Sequence, residues 1–105
     1  MADDSELARA SELLTRTNLH YAAFMMRMLR ALKEKPASAS DLQYEVVCSA
    51  RTIEATLNSA VGYGLIVGTV AHVSVCNTIY TVYGLTDFGR TVTELAEMLI
   101  AVTRA

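Results

Sequence analysis

The stretch SARTIEATLNSAVGYGLIV, residues 49–67, carries a helix and the start of a strand in one run. Ser49 can cap a helix, and Ile53, Leu57, Ala60 and Val61 follow at the spacing of one helical face. That face is predicted to bury against a core, with Ile53, Leu57 and Val61 as its anchors. Arg51, Glu54, Ala55 and Asn58 fall on the opposite face. Gly64 supplies the left-handed residue that commonly ends a helix, and Leu65, Ile66 and Val67 open a strand-like run. The pattern predicts a helix over residues 50–63 that leads directly into a strand.

Upstream, Pro36 ends a strongly helical segment, Leu19 to Lys35, in which Tyr21, Met25, Met28, Leu29 and Leu32 form one stripe. Ala22, Ala23, Phe24 and Met26 make much of the remaining surface apolar, so this reads as a core helix with more than one buried face. Its methionines are predicted to fill gaps in a core or a subunit interface. Arg27, Arg30, Lys33 and Lys35 gather towards its C-terminal end, either as a solvated helix terminus or as phosphate contacts. After the short connection ASAS, Ser40 and Gln43 have the spacing of a capping box, which places the next helix start near Asp41, with Leu42 and Val46 on its inner face. Cys48 and Ser49 then form a turn of the length that joins the two helices of a helix-turn-helix. Before all this, residues 1–6 are predicted to fray, and Ser5 or Asp4 to cap a helix carrying Leu7, Leu13 and Leu14. Thr17 and Asn18 either interrupt that helix or are absorbed into a longer one.

Downstream of Gly64 the period becomes two. Leu65, Val67, Thr69, Ala71, Val73 and Val75 take one side and Ile66, Gly68, Val70, His72 and Ser74 the other. Asn77 suits a left-handed turn, and residues 78–83 supply a returning strand, which together predict a β-hairpin. Thr86 caps a final helix, in which Phe88, Val92, Leu95, Ala96, Leu99 and Ile100 form an apolar stripe predicted to be covered by a partner subunit.

The 105 residues suit a single domain, residues 1–105. With 52% hydrophobic residues and 19% charged, the chain has more apolar surface than a small monomer readily buries, which predicts an oligomer. Formal net charge is −2, so the totals lack the basic footprint of a nucleic-acid binder. From Ala55 to Thr86 there is no charged residue. Hydropathy alone would mark residues 60–76 as a membrane span, but their three glycines, interspersed polar residues and β-branched alternation fit paired strands, and no membrane association is expected. Cys48 and Cys76 stand far apart without ligand spacing and read as buried free thiols, so neither metal nor cofactor is expected. The acidic N-terminus does not resemble a signal peptide, which predicts a cytoplasmic protein. His20 and His72 have no evident acid or nucleophile partner in sequence, and no glycine loop cradles phosphate, so an enzyme is not expected.

The order helix, helix, turn, helix, hairpin, helix, together with SASDL at residues 38–42, SART at 49–52 leading to GLIV at 64–67, and YGLTDFGR at 83–90, resembles the winged helix-turn-helix of PadR-like and MarR-like regulators. The last segment is similar to their Y-x-L-T-x-x-G-R, and the resemblance runs from Leu19 to the C-terminus. It implies a mainly α fold with a small β-hairpin, a core over residues 19–86, and terminal helices over 5–16 and 87–104 that make a homodimer. It also implies a DNA-binding transcription regulator with the 50–63 helix in the major groove. Matched to that role, Arg51 can meet a guanine edge or a phosphate, and Thr52 and Asn58 a base or a sugar-phosphate oxygen. Glu54 either accepts from cytosine or repels phosphate; Ser49 and Ala55 lie on the same presented surface, and Arg27, Arg30 and Lys33 are the candidate phosphate contacts. The hairpin departs from the family pattern, because no basic residue occurs between Arg51 and Arg90. An alternative is therefore a protein-association module that docks through its uncharged wing or final helix.

Overall fold

The computed structural model describes residues 3–73, 75 and 78–104. Helix α1 spans Asp4–Thr17, α2 Ala23–Glu34, α3 Ala39–Val46, α4 Ala50–Gly62 and α5 Asp87–Arg104; strands β1, β2 and β3 span Ala37–Ser38, Ile66–Val73 and Thr78–Leu85. The strands form one antiparallel sheet in the order β1-β3-β2.

Local chemistry explains where the elements begin and end. The Asp3 carboxylate accepts the Glu6 N–H at 2.7 Å and caps α1 one residue before the predicted cap. Order therefore begins within the stretch expected to fray. At the other end the Thr17 hydroxyl donates to the Leu13 carbonyl at 2.7 Å and accepts the Leu19 N–H at 3.3 Å, while Asn18 turns left-handed with φ 53°. The chain breaks here, runs through a single 3-10 turn at Leu19–Tyr21, and restarts as α2 after an extended Ala22. The helix expected from Leu19 is thus shortened, and Tyr21, expected on its buried stripe, is 67% exposed.

The short connection before α3 carries structure that no periodicity reveals in two residues. Ala37 and Ser38 pair with Tyr83 and Val82 as β1. Ser38, not Ser40, caps α3, accepting the Asp41 N–H at 3.3 Å, because only Ser38 keeps the extended backbone a cap needs. Leu42 and Val46 are fully buried as expected.

The core is one cluster. It joins Ala10, Leu13 and Leu14 of α1, five residues of α2 that include Met25, Met26 and Met28, Ile53, Leu57 and Ala60 of α4, Leu65 and Ile66 at the sheet base, and Val92 and Ala96 of α5. α1 covers much of the α5 stripe that the sequence left without a cover, and the Arg9 guanidinium lies 4.6 Å from the centre of the Phe88 ring. Leu99 stays 38% exposed, joined by Met98 at 63% and Val102 at 74%. No helix among the described residues is long and apolar enough to cross a membrane.

One motif is explained by a single junction. The Thr86 hydroxyl accepts the Gly89 N–H at 2.9 Å, capping α5, and donates to the Gly64 carbonyl at 2.7 Å; the Thr86 N–H reaches the Leu65 carbonyl at 3.0 Å. Gly64, left-handed at φ 78°, ends the α4 segment at this point. The start of α5 is therefore tied to the end of α4.

Candidate nucleic-acid interface

The candidate interface is built on α4. Ser49 stands extended before it and accepts the Thr52 N–H at 3.1 Å, as its cap position requires. Its hydroxyl also donates to the Thr52 oxygen at 2.9 Å, so the Thr52 proton is left to point towards another acceptor. Ile53, Leu57 and Ala60 are buried, all within one narrow arc of the helix. Val61 was predicted to join them but is 48% exposed, because its position lies off that arc. Opposite the core, Arg51, Ala55, Asn58 and Gly62 follow at i, i+4, i+7 and i+11, and all four are exposed. Three small residues beside one long cation leave this side of the helix backbone open to close approach. Glu54 is exposed on the flank of this ridge.

The turn into α4 holds a feature that the sequence did not announce. Val47 is left-handed at φ 55°, its N–H and that of Cys48 both reaching the Gln43 carbonyl. A β-branched residue is strained in this conformation, and Val47, 82% exposed, recovers little by burial. Val47→Gly is expected to raise stability by about 1 kcal/mol, relief of strain exceeding the entropy that glycine adds to the unfolded chain. Thermal denaturation checks this; an unchanged or lower midpoint refutes the strain. Cys48 is half-buried and free, whereas Cys76, Ser74 and Asn77, where the turn is predicted, lie outside the described residues.

The basic residues of α2 lie elsewhere. Lys33 Nζ donates to Glu97 Oε1 at 2.9 Å and Arg30 Nε stands 3.8 Å from Glu97 Oε2, so both face α5 rather than the α4 ridge. Arg27 lies over the Phe24 ring at 5.9 Å. The Glu97 hydrogen bond, with added attraction from Glu97, Glu94 and Glu34, holds the Lys33 ammonium above the ordinary lysine range against partial desolvation. A raised folded value means that this pair stabilises fully below the ordinary lysine range and loses its contribution as pH climbs through the folded value. The wild-type protein is therefore expected to exceed Glu97→Gln slightly in melting temperature at neutral pH and to lose that advantage in strong alkali. A difference that stays constant into strong alkali contradicts the pairing.

The wing carries no charge to supplement Arg51. Ile66 is buried at its base, beyond which Val67, Val70, Ile79 and Tyr80 are exposed. β2 starts at Ile66 rather than Leu65, because Leu65 is drawn into the helix end, its N–H reaching the Ala60 carbonyl at 2.9 Å, and beyond Ile66 both sides of the strand are exposed through Val70. Among the described residues, no group of three or more His, Cys, Asp or Glu side chains is placed to hold a metal ion.

A buried helix pair, a turn, a presented helix and a three-stranded antiparallel wing define a winged helix-turn-helix fold. No family model matches the sequence, and no curated protein matches it. The adhesin competence repressor of Streptococcus pyogenes is similar in structure, with TM-score 0.62 and 19% identity over 90% of this chain and 72% of that one. The homodimeric winged helix-turn-helix DNA-binding domain of a possible ArsR-family transcriptional regulator from Mycobacterium bovis matches with TM-score 0.58 and 15% identity, over 95% of this chain and 80% of that domain. At these identities the likeness is one of fold.

Proposed function

We propose that this chain is a homodimeric DNA-binding regulator of transcription that places α4 in the major groove. The observation that carries the reading is the exposed ridge of Arg51, Ala55, Asn58 and Gly62, directly opposite the buried Ile53, Leu57 and Ala60. Arg51 supplies the groove cation, and Asn58 and Thr52 supply neutral donors. Ser49, Glu54 and Ala55 set the margin of the same surface. Arg27 remains a candidate phosphate contact, whereas Lys33 is engaged by Glu97 at 2.9 Å and Arg30 more loosely at 3.8 Å, so the one carboxylate offsets one of their two charges. The names of the two similar proteins, a repressor and a homodimeric DNA-binding domain, support the class. Leu95, Met98, Leu99 and Val102 recur at i, i+3, i+4 and i+7 along α5 and offer an apolar seam for the dimer. Such a dimer must set its two α4 helices about 34 Å apart, one turn of duplex.

Arg51→Ala is expected to weaken duplex binding by about 1–3 kcal/mol, roughly five- to 150-fold, with no change in melting temperature. Fluorescence anisotropy with a labelled duplex at low salt reads the loss. Unchanged affinity removes Arg51 from the interface. One observation favours a second reading, a protein-association module: the wing is uncharged and apolar, and Asp41, Glu45 and Glu54 are exposed around the α3–α4 face. Under that reading wild type and Arg51→Ala are equally without affinity for DNA.

A further inference from the structure

We infer that the open edge of β2 is a self-association site, where β2 of a second copy pairs antiparallel with it and joins two wings into one continuous sheet. Among the described residues β2 has a neighbour on one side only, since the strand order is β1-β3-β2. Its pairing with β3 runs without a bulge from Ile66 opposite Leu85 to Val73 opposite Thr78. Folded proteins usually blunt such an edge with charge, proline, a bulge or a covering element. Ile66 to Val73 has no charged residue and no proline. The strands stand clear of the core beyond Ile66, with Val67 53% exposed and Val70 and Ile79 each 70% exposed.

The charge pattern names the occupant. A partner of different sequence would be selected by complementary charge or by pockets, and the charge-free stretch from Ala55 to Thr86 offers no ion pair. What the edge offers is main-chain hydrogen bonding with small and β-branched side chains, which is complementary to itself. Antiparallel pairing about a two-fold axis requires opposed residues to share a face, so the axis passes through a residue near the middle of the strand. An axis through Thr69 sets Val67 against Ala71 and Gly68 against Val70; one through Val70 sets Thr69 against Ala71. In neither register do like charges meet, although each chain carries a formal −2. A single strand edge buries less than the roughly 800 Å² per partner of a standard interface. Wing pairing is therefore weaker than a helix-seam dimer, and it links dimers rather than replacing them. It uses no residue of the α4 ridge and does not depend on DNA binding.

Sedimentation equilibrium of the full chain without DNA tests this across a wide concentration range. Wild-type protein is expected to associate beyond the dimer, since each dimer carries two wings, in a step that Val70→Lys or Thr69→Lys moves at least about tenfold to higher concentration, because the substitution places two lysines across the axis. Both side chains are exposed, and an unchanged melting temperature confirms that each variant folds. The step is expected to persist at high salt, as a charge-free contact must. Met98→Lys with Val102→Lys removes the α5 seam and should leave the wing step in place, which separates failure of the helix dimer from failure of the wing contact. A wild-type curve in which neither Val70→Lys nor Thr69→Lys shifts any step overturns the inference, as does a step that disappears when salt is raised.

Discussion

Gly89→Ala is expected to destabilise the domain by about 3 kcal/mol or more, a large share of the stability such a domain possesses. A Cβ at this position would lie 1.8 Å from the Leu65 carbonyl oxygen, 2.7 Å from its carbon and 3.0 Å from its Cα. All three are backbone atoms, so no side chain can rotate aside. Relief requires the first turn of α5 to retreat from the end of α4, which breaks the Thr86 bonds to Gly64 and Leu65 and strips the α5 cap. Denaturant unfolding of the two proteins measures the cost. A difference below about 0.5 kcal/mol, within the range of an ordinary surface change, shows that the close approach does not exist in solution.

Leu57→Ala is expected to cost about 2–5 kcal/mol. Leu57 is 3% exposed and sits with Ile53 and Ala60 on the buried face that holds α4 from behind. Its loss leaves a cavity under the helix and no change on the ridge of Arg51, Ala55 and Asn58. Stability therefore falls while the affinity of the folded fraction for duplex DNA stays near that of the wild type. Arg51→Ala is the converse, with affinity lost and stability kept. Measuring both quantities for both variants separates the two faces of one helix. If Leu57→Ala leaves the unfolding midpoint unchanged, the orientation of α4 is not the one described.

These two positions also mark what was legible in the sequence. The buried face of α4 was readable at Ile53, Leu57 and Ala60 because their spacing alone fixes a face; Val61 misled because it is apolar and only one position removed. Ser49, Thr86 and Gly64 were readable because caps and left-handed ends are local chemistry. The reason for Gly89 was not, since it depends on a carbonyl 24 residues away in the chain, at Leu65. Val47 escaped for the opposite reason: valine is among the residues least suited to a left-handed turn, so its identity argues against the conformation it adopts. β1 is too short to show a period, whereas the break at Asn18, one of two alternatives left open at Thr17 and Asn18, is decided by a threonine hydroxyl that takes over backbone hydrogen bonds. At the interface, the ridge around Arg51 was legible from helical spacing. The pairing of Arg30 and Lys33 with Glu97 was not, because Glu97 reaches them from α5 through the fold.

An α4 that meets duplex DNA with few cations gives an affinity that declines only gently as salt rises, and titration of a duplex across a salt series measures that decline. Each phosphate neutralised contributes about 0.9 to the slope of log affinity against log salt. With Arg51 the one charged donor in α4 and none in the wing, a dimer is expected to bind at low salt with a shallow slope of about −2 to −4, reduced further in Arg51→Ala. Absence of binding by the wild-type protein at the lowest salt contradicts a DNA-binding role for α4.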